Sequence, residues 1–473
     1  MLFNSFEFLI FLPIVFLVYW FLCRKGRSKN IFLILASYLF YGWWDFRFLL
    51  LIIFISLISF AGGLVISEEK IKSGLKTLVF WSALVLSFGT LFIFKYFNFF
   101  TQSFVRVLET VGFTPDVPTL DIILPVGISF YTFQAASYLI DVKRGTQRAT
   151  RDISAFFVFI SFFPQLVAGP IERASNILPQ FLESERKFTY ERGVSGMKLI
   201  LWGLFKKMVV ADNCAIIVNQ IFQNWPSVGT LNLWIGAFLF TFQIYGDFSG
   251  YSDIAIGTAR LFGIDLMKNF SLPYFSRDIT EFWKKWHISL TGWFRDYVYI
   301  PLGGNRKGKA KTVANTAAVF VVSGLWHGAN FTFLLWGAYH ALLFIPFRIY
   351  GRKTYKTEIP ILRDSLMMGI TFLLVMIGWV IFRAETLGDA FGYIANMFSS
   401  YRPSDFIRGK IPILWCLILL LLEWFGRYKE TPLDFPARGI FSLRPLKWAC
   451  CLIFFLITLV FAGQSQEFIY FKF

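Results

Sequence analysis

The run FLIFLPIVFLVYWF, Phe8 to Phe21, followed at once by Leu22, Cys23, Arg24 and Lys25, decides the class of fold. Its apolar length approaches the roughly 20 residues that a helix needs to cross a bilayer. The basic residues that close it mark a cytoplasmic end. No small-residue cleavage site follows it and further hydrophobic segments come directly after, so it reads as a first span and not as a removable signal. Met1 to Glu7 carry no basic residue, whereas Arg24, Lys25, Arg27 and Lys29 follow the run. An N-terminus facing outward is therefore predicted.

Outward from this segment the pattern repeats. Apolar runs at Phe8 to Cys23, Ile31 to Trp44, Phe48 to Ile66 and Leu78 to Phe97 read as spans, with Lys70, Lys72 and Lys76 in an inside loop and Thr101 to Asp121 outside. Cleaner runs resume at Met367 to Phe382, Ile413 to Trp424 and Trp448 to Phe461. We expect an all-α, polytopic membrane protein of about eleven spans, with re-entrant or interfacial helices, forming one domain over residues 1–473. The composition agrees: 16% of the 473 residues are charged, where a soluble domain carries about 25%, and the mean hydropathy is +0.59. The net charge of +17 does not call for nucleic acid, because its lysines and arginines lie mostly in short loops between apolar runs, as membrane topology requires. The five cysteines show no metal-ligand spacing and serve as small hydrophobes.

Between about residues 122 and 345 the apolar texture is broken by Pro125, Gly127, Asp141, Pro164, Gly169, Pro170, Asp247, Gly250 and Asp253. Such breaks at membrane depth are tolerated where backbone is buried in protein or lines a cavity. This section is the expected functional core.

All three histidines of the chain fall inside or beside it, between residues 287 and 340. His327, in VSGLWHGANF (Val322 to Phe331), has small residues on both sides, which admit either a substrate or another backbone. A neutral imidazole there suits a general base, and helix packing is the plain alternative. His287, in FWKKWHISL (Phe282 to Leu290), stands among Trp283, Trp286 and Trp293 interleaved with Lys284, Lys285 and Arg295, a pattern of interfacial segments. With Arg306 these cations make a cytoplasmic surface that either sets topology or receives an anionic acyl donor. His340 is set aside: were residues 327–345 one helix, it would lie roughly 20 Å from His327 on another face. The spacing of the histidines matches no metal motif, and no metal site is expected. Serine-hydrolase, Walker and dinucleotide fingerprints are absent near these positions. Asp247 is expected to pair with Arg260 or Arg277, to orient a histidine, or, in a transporter, to couple to protons.

Seven strings, in order along the chain, resemble the membrane-bound O-acyltransferase family, most closely its bacterial alginate O-acetyltransferase type. They are LPVGISFYTFQ (Leu124 to Gln134) with Asp141, FPQLVAGP (Phe163 to Pro170), YGDFSGYSD (Tyr245 to Asp253), FWKKWH (Phe282 to His287) with YIPLGGN (Tyr299 to Asn305), LWHGAN (Leu325 to Asn330) and the tail GQSQEFIYFKF (Gly463 to Phe473). The resemblance implies that His327 and His287 match the family's two signature histidines. It also implies helices around a central acyl-transfer tunnel in a bacterial cytoplasmic (inner) membrane, acetyl-CoA as donor, and an exported polysaccharide as acceptor. A periplasmic or surface SGNH-type acetyltransferase is the implied partner. Peptidoglycan O-acetylation and D-alanyl-type transfer stay open within the family, and a transporter or flippase outside it. The tail resembles an aromatic C-terminal motif whose tyrosine relays acyl groups in related D-alanylation systems. Tyr470 is accordingly a candidate relay, since a phenol of pKa about 10 makes an aryl ester of high transfer potential; an interfacial anchor is the alternative.

Overall fold

The computed structural model describes residues 1–115, 117, 120, 123–351, 362–399, 410–435 and 443–469. Tyr470, the candidate relay, lies outside them. The described residues are helical, with no strand among them, and fall into two compact units: Met1–Val194 with Thr258–Met267, and Ser195–Gly257 with Lys268–Phe473.

The first unit is built from α1 (Phe6–Leu17), α2 (Gly26–Asp45), α3 (Leu49–Ser67), α4 (Ser73–Lys95), α5 (Phe97–Thr110), α6 (Ile128–Arg144), α7 (Ile153–Ser161), α8 (Phe163–Leu166) and α9 (Ala174–Leu182). Local sequence chemistry sets their ends. Ser5 accepts from the Phe8 N–H to start α1, and Asp152 accepts from Ser154 and Ala155 to start α7, each satisfying donors that a helix leaves open. Gly127, at φ 78°, precedes α6 in the left-handed region, and a Cβ there would lie 2.6 Å from the Leu166 carbonyl oxygen. The interior is aromatic: the Phe163 ring meets Phe11, Phe40 and Phe262. Side chains such as Phe6, Leu50 and Trp81 are exposed on these helices, an outward apolar surface that suits lipid.

The helix α10 (Tyr190–Leu204) runs into the second unit and continues as a π-helical stretch, Phe205–Ala211. The second unit then holds α11 (Asp212–Gln223), most of α12 (Thr230–Leu261), α13 (Ile279–Lys285), α14 (Ile288–Phe294), α15 (Gly308–His327), α16 (Phe331–Tyr350), α17 (Leu362–Arg383), α18 (Leu387–Ser399), α19 (Lys410–Phe425) and α20 (Arg444–Val460). Glycines let α10 and α12 touch backbone to backbone. A Cβ on Gly203 would lie 2.5 Å from the Gly250 oxygen, and one on Gly250 2.7 Å from the Gly203 oxygen.

Two expectations change. Four stretches combine the length and apolarity of a crossing, Gly26–Ser67, Ser73–Lys95, Phe331–Tyr350 and Leu362–Arg383, so eleven spans are not established. Several helices of the second unit are too short or too polar by that measure. Secondly, residues 327–345 are not one helix: α15 ends at His327, Gly328 is extended at φ −169°, and Asn330 caps a new helix by accepting from the Thr332 N–H.

Candidate functional site

The break between α15 and α16 places the histidines. The chain turns back through Gly328, Ala329 and Asn330, and the two helices pack closely through glycine. A Cβ on Gly324 would sit 2.1 Å from the Phe333 oxygen, and one on Gly337 2.3 Å from the Phe320 oxygen. The small residues around His327 thus admit a second backbone. His327, the last residue of α15 and 5% exposed, is held edge-on by Trp326, Trp336 and Phe382, with ring centroids 5.0, 5.2 and 5.3 Å away.

His287 lies between α13 and α14, seven-residue helices too short to cross a membrane. It is 1% exposed and adopts φ 43°, ψ 55°, a left-handed conformation that disfavours any side chain with a Cβ and that surrounding structure must enforce. Asn269 does so. Its Oδ1 lies 3.1 Å from His287 Nδ1 and accepts from the Ser289 hydroxyl at 2.9 Å; its backbone carbonyl accepts from the Ile288 N–H at 2.9 Å; its Nδ2 donates to Ser252 Oγ at 3.2 Å. With an acceptor facing Nδ1, that nitrogen carries the proton, and the ring's lone pair sits on Nε2. Burial lowers the His287 pKa to about 3, so the ring is neutral at physiological pH.

One tryptophan joins the two sites. The Trp326 ring lies 6.0 Å from His287 and 5.0 Å from His327. His340 belongs to the same assembly, against the reason given for excluding it. Because the helix breaks, Trp336 touches His327 at 5.2 Å and His340 at 4.9 Å. His340 is wholly buried, also facing Trp283 at 5.1 Å, and Gly378 makes room for it: a Cβ there would lie 2.8 Å from its Nε2.

The tryptophans beside His287 are not an interfacial belt. Trp283, Trp286 and Trp293 are buried, and Trp286 packs on Trp379 at 4.8 Å. The cations between them point outward. Lys284, Arg295 and Arg306 are exposed, while Lys285 pairs with Glu281 at 2.9 Å and Arg295 with Asp296 at 2.7 Å. Two of the four donor-binding candidates are therefore already engaged by neighbouring carboxylates.

Asp247 pairs with Lys207 at 2.7 Å. Arg260 faces Asp265 and Arg277 faces Asp364, each at 3.8 Å. Lys206, next in the π-helical stretch, bonds to Asp253 at 2.6 Å and Ser249 at 2.9 Å. Two lysines inside LFKKMVV (Leu204 to Val210) were a legible signal that sequence reasoning passed over, since intramembrane cations are rare without a partner. Asn269 carried no signal, because nothing in KNF marks it as a partner of a residue eighteen positions on.

Asn269→Ala is expected to release the tautomer and strain of His287, lowering acyl transfer on the order of 10- to 100-fold, as loss of a supporting shell does. The measurement is transfer rate alongside the thermal midpoint, with wild-type rates counting against the role.

Residues 147–382 match the family described as MBOAT, membrane-bound O-acyltransferase, a range that contains Asn269, His287, His327 and His340. The chain is 38% identical to the probable alginate O-acetylase of Pseudomonas putida, covering all of both chains. It is 40% identical to that of Pseudomonas aeruginosa over 92% of this chain and 83% of the relative. Identity to the peptidoglycan O-acetyltransferase of Helicobacter pylori is 30%, over 100% of this chain and 98% of the relative.

Proposed function

The chain belongs to the membrane-bound O-acyltransferase family, and from that premise we propose that this O-acyltransferase takes acetyl from acetyl-CoA at the cytoplasmic face and passes it outward for O-acetylation of an exported, alginate-like polysaccharide. The observation that carries the reading is the buried His287–Trp326–His327 assembly, in which both imidazoles meet the same indole.

In this reading His327 accepts the proton of the attacking hydroxyl as its oxygen bonds to the thioester carbonyl carbon. The carbon–sulfur bond then breaks, and the proton returns to the leaving thiolate as free CoA thiol. His287, neutral and with its lone pair on Nε2, receives a hydrogen bond from a reacting O–H or S–H and so positions it. Lys284 and Arg306, exposed and basic, draw the donor's phosphates. The attacking hydroxyl is the phenol of Tyr470, which carries the acetyl as an aryl ester; a hydroxyl of a periplasmic SGNH-type partner then attacks that ester, its proton going to the departing phenolate of Tyr470. The setting is the bacterial cytoplasmic (inner) membrane, with the N-terminus outside.

The acceptor follows the two relatives named as probable alginate O-acetylases, at 38% and 40% identity; the peptidoglycan enzyme is more distant at 30%. A transporter reading loses one of its supports, since Asp247 is engaged by Lys207.

The test is the acetyl-ester content of exported polysaccharide in a strain lacking this gene. The wild-type chain should restore the esters and Tyr470→Phe should not. Failure of the wild-type chain to restore them would overturn the function, and full restoration by Tyr470→Phe would overturn the relay.

A further inference from the structure

We propose that Lys207, Asp212 and Asp247 form a latch that seats the C-terminal segment 463–469 against Phe248 and Tyr251, one ring removed from His287, making Asp247 a positioning residue for acyl transfer, an inference that rests on the transfer reading above. Lys207 is buried, with its Nζ 2.8 Å from Asp212 and 2.7 Å from Asp247. One ammonium between two buried carboxylates leaves surplus negative charge in a place where uncompensated charge is costly. The tail supplies what is missing. The Ile469 N–H donates to Asp247 Oδ2 at 2.7 Å, while Lys207 donates to the Gln466 carbonyl at 3.1 Å.

The segment is fixed at its start as well. The Gly463 N–H donates to the Met208 carbonyl at 2.8 Å, and Asn213 Nδ2 donates to the Phe461 carbonyl at 3.0 Å. A side chain at 463 would not fit, because a Cβ there would lie 2.9 Å from the Asn213 nitrogen. Residues 463–468 are not helical, so these bonds, and not a local hydrogen-bond ladder, set their path. Phe468, 2% exposed, packs on Tyr251 at 5.0 Å and Phe248 at 6.3 Å, and Phe248 meets His287 at 4.6 Å. An aromatic side chain serving only as an interfacial anchor would face lipid headgroups; Phe468 is inside the protein.

The latch explains why Lys207 and Asp247 sit on facing helical elements brought together through glycine. Lys207 lies within the π-helical stretch Phe205–Ala211, a feature common at functional sites, and Gly246, whose Cβ would lie 2.8 Å from the Lys206 oxygen, lets that stretch approach α12. A seven-residue segment is thus held at positions 463, 466 and 469. Transfer chemistry is sensitive to such placement, since a misplacement of about 1 Å can cost on the order of 100-fold.

The test uses a nitroxide on Ser465→Cys, an exposed tail position, in full-length protein whose native cysteines are replaced by alanine. Asp247→Ala leaves Lys207 paired with Asp212, one charge against one, so the fold is retained. Asp247→Asn keeps an oxygen for the Ile469 N–H and serves as the milder variant. An immobilised spectrum is expected in the parent protein and a mobile one in Asp247→Ala. The kcat for acetyl transfer should fall on the order of 10- to 100-fold with the KM for acetyl-CoA unchanged, and Asp247→Asn should lie between. An immobilised tail in Asp247→Ala would overturn the latch, and a mobile tail with unchanged kcat would overturn the positioning role. The spectrum reports the tail whether or not acetyl moves, so failure of the transfer reading is told apart from failure of the latch.

Discussion

His327→Gln is expected to lower acetyl transfer on the order of 100- to 10,000-fold, the range associated with losing a general base, while leaving the protein folded. Glutamine keeps a polar, neutral side chain among Trp326, Trp336 and Phe382 but cannot take up a proton. The informative control is His340→Gln. His340 shares Trp336 with His327 and is at least as buried, so a purely structural role for the histidines predicts similar losses at both positions. A large loss is expected at His327 and a small one at His340, read as initial transfer rates on monodisperse protein. Equal losses would reduce His327 to a packing residue.

Gly324→Ala is expected to be the most damaging single methyl group. The added carbon would stand 2.1 Å from the Phe333 backbone oxygen, a contact no rotamer change relieves, so α15 and α16 must separate. Overpacking of this kind costs about 1–3 kcal/mol, and the separation moves His327 at the end of α15 away from Trp336. Both a lower thermal midpoint and a near-complete loss of transfer are expected. Gly89→Ala supplies the comparison. Nothing lies within 4 Å of a Cβ at Gly89, and alanine is the better helix former by about 1 kcal/mol, so that variant should be unharmed or slightly stabilised. Parity between the two would contradict the close crossing.

These two sites also show what the sequence makes legible. Every apolar run read as a span falls largely within a helix, because a long hydrophobic run has few other ways to satisfy its backbone in lipid. The concentration of histidines was visible by count alone. The break after His327 has one local sign, Asn330 ahead of Phe-Thr, an ordinary N-cap signal; the apolar run on both sides conceals it, and with it the place of His340. Trp283, Trp286 and Trp293 had the sequence pattern of an interface and the position of a core, since alternation with lysine fits either a headgroup belt or a short helix with one buried face. Asn269 and the pairing of Lys207 with Asp247 depend on chain crossings between distant segments, which residue spacing does not encode.

In the proposed reaction this chain itself moves acetyl from a donor on one side of a membrane to an acceptor on the other. The most direct measurement places the purified protein in liposomes, adds acetyl-CoA labelled in its acetyl group outside, and follows label reaching an acceptor glycan and SGNH-type partner enclosed within. Wild-type vesicles should accumulate labelled ester inside while His327→Gln vesicles do not. Equal labelling by the two would contradict the account, as would label that enters only as intact acetyl-CoA.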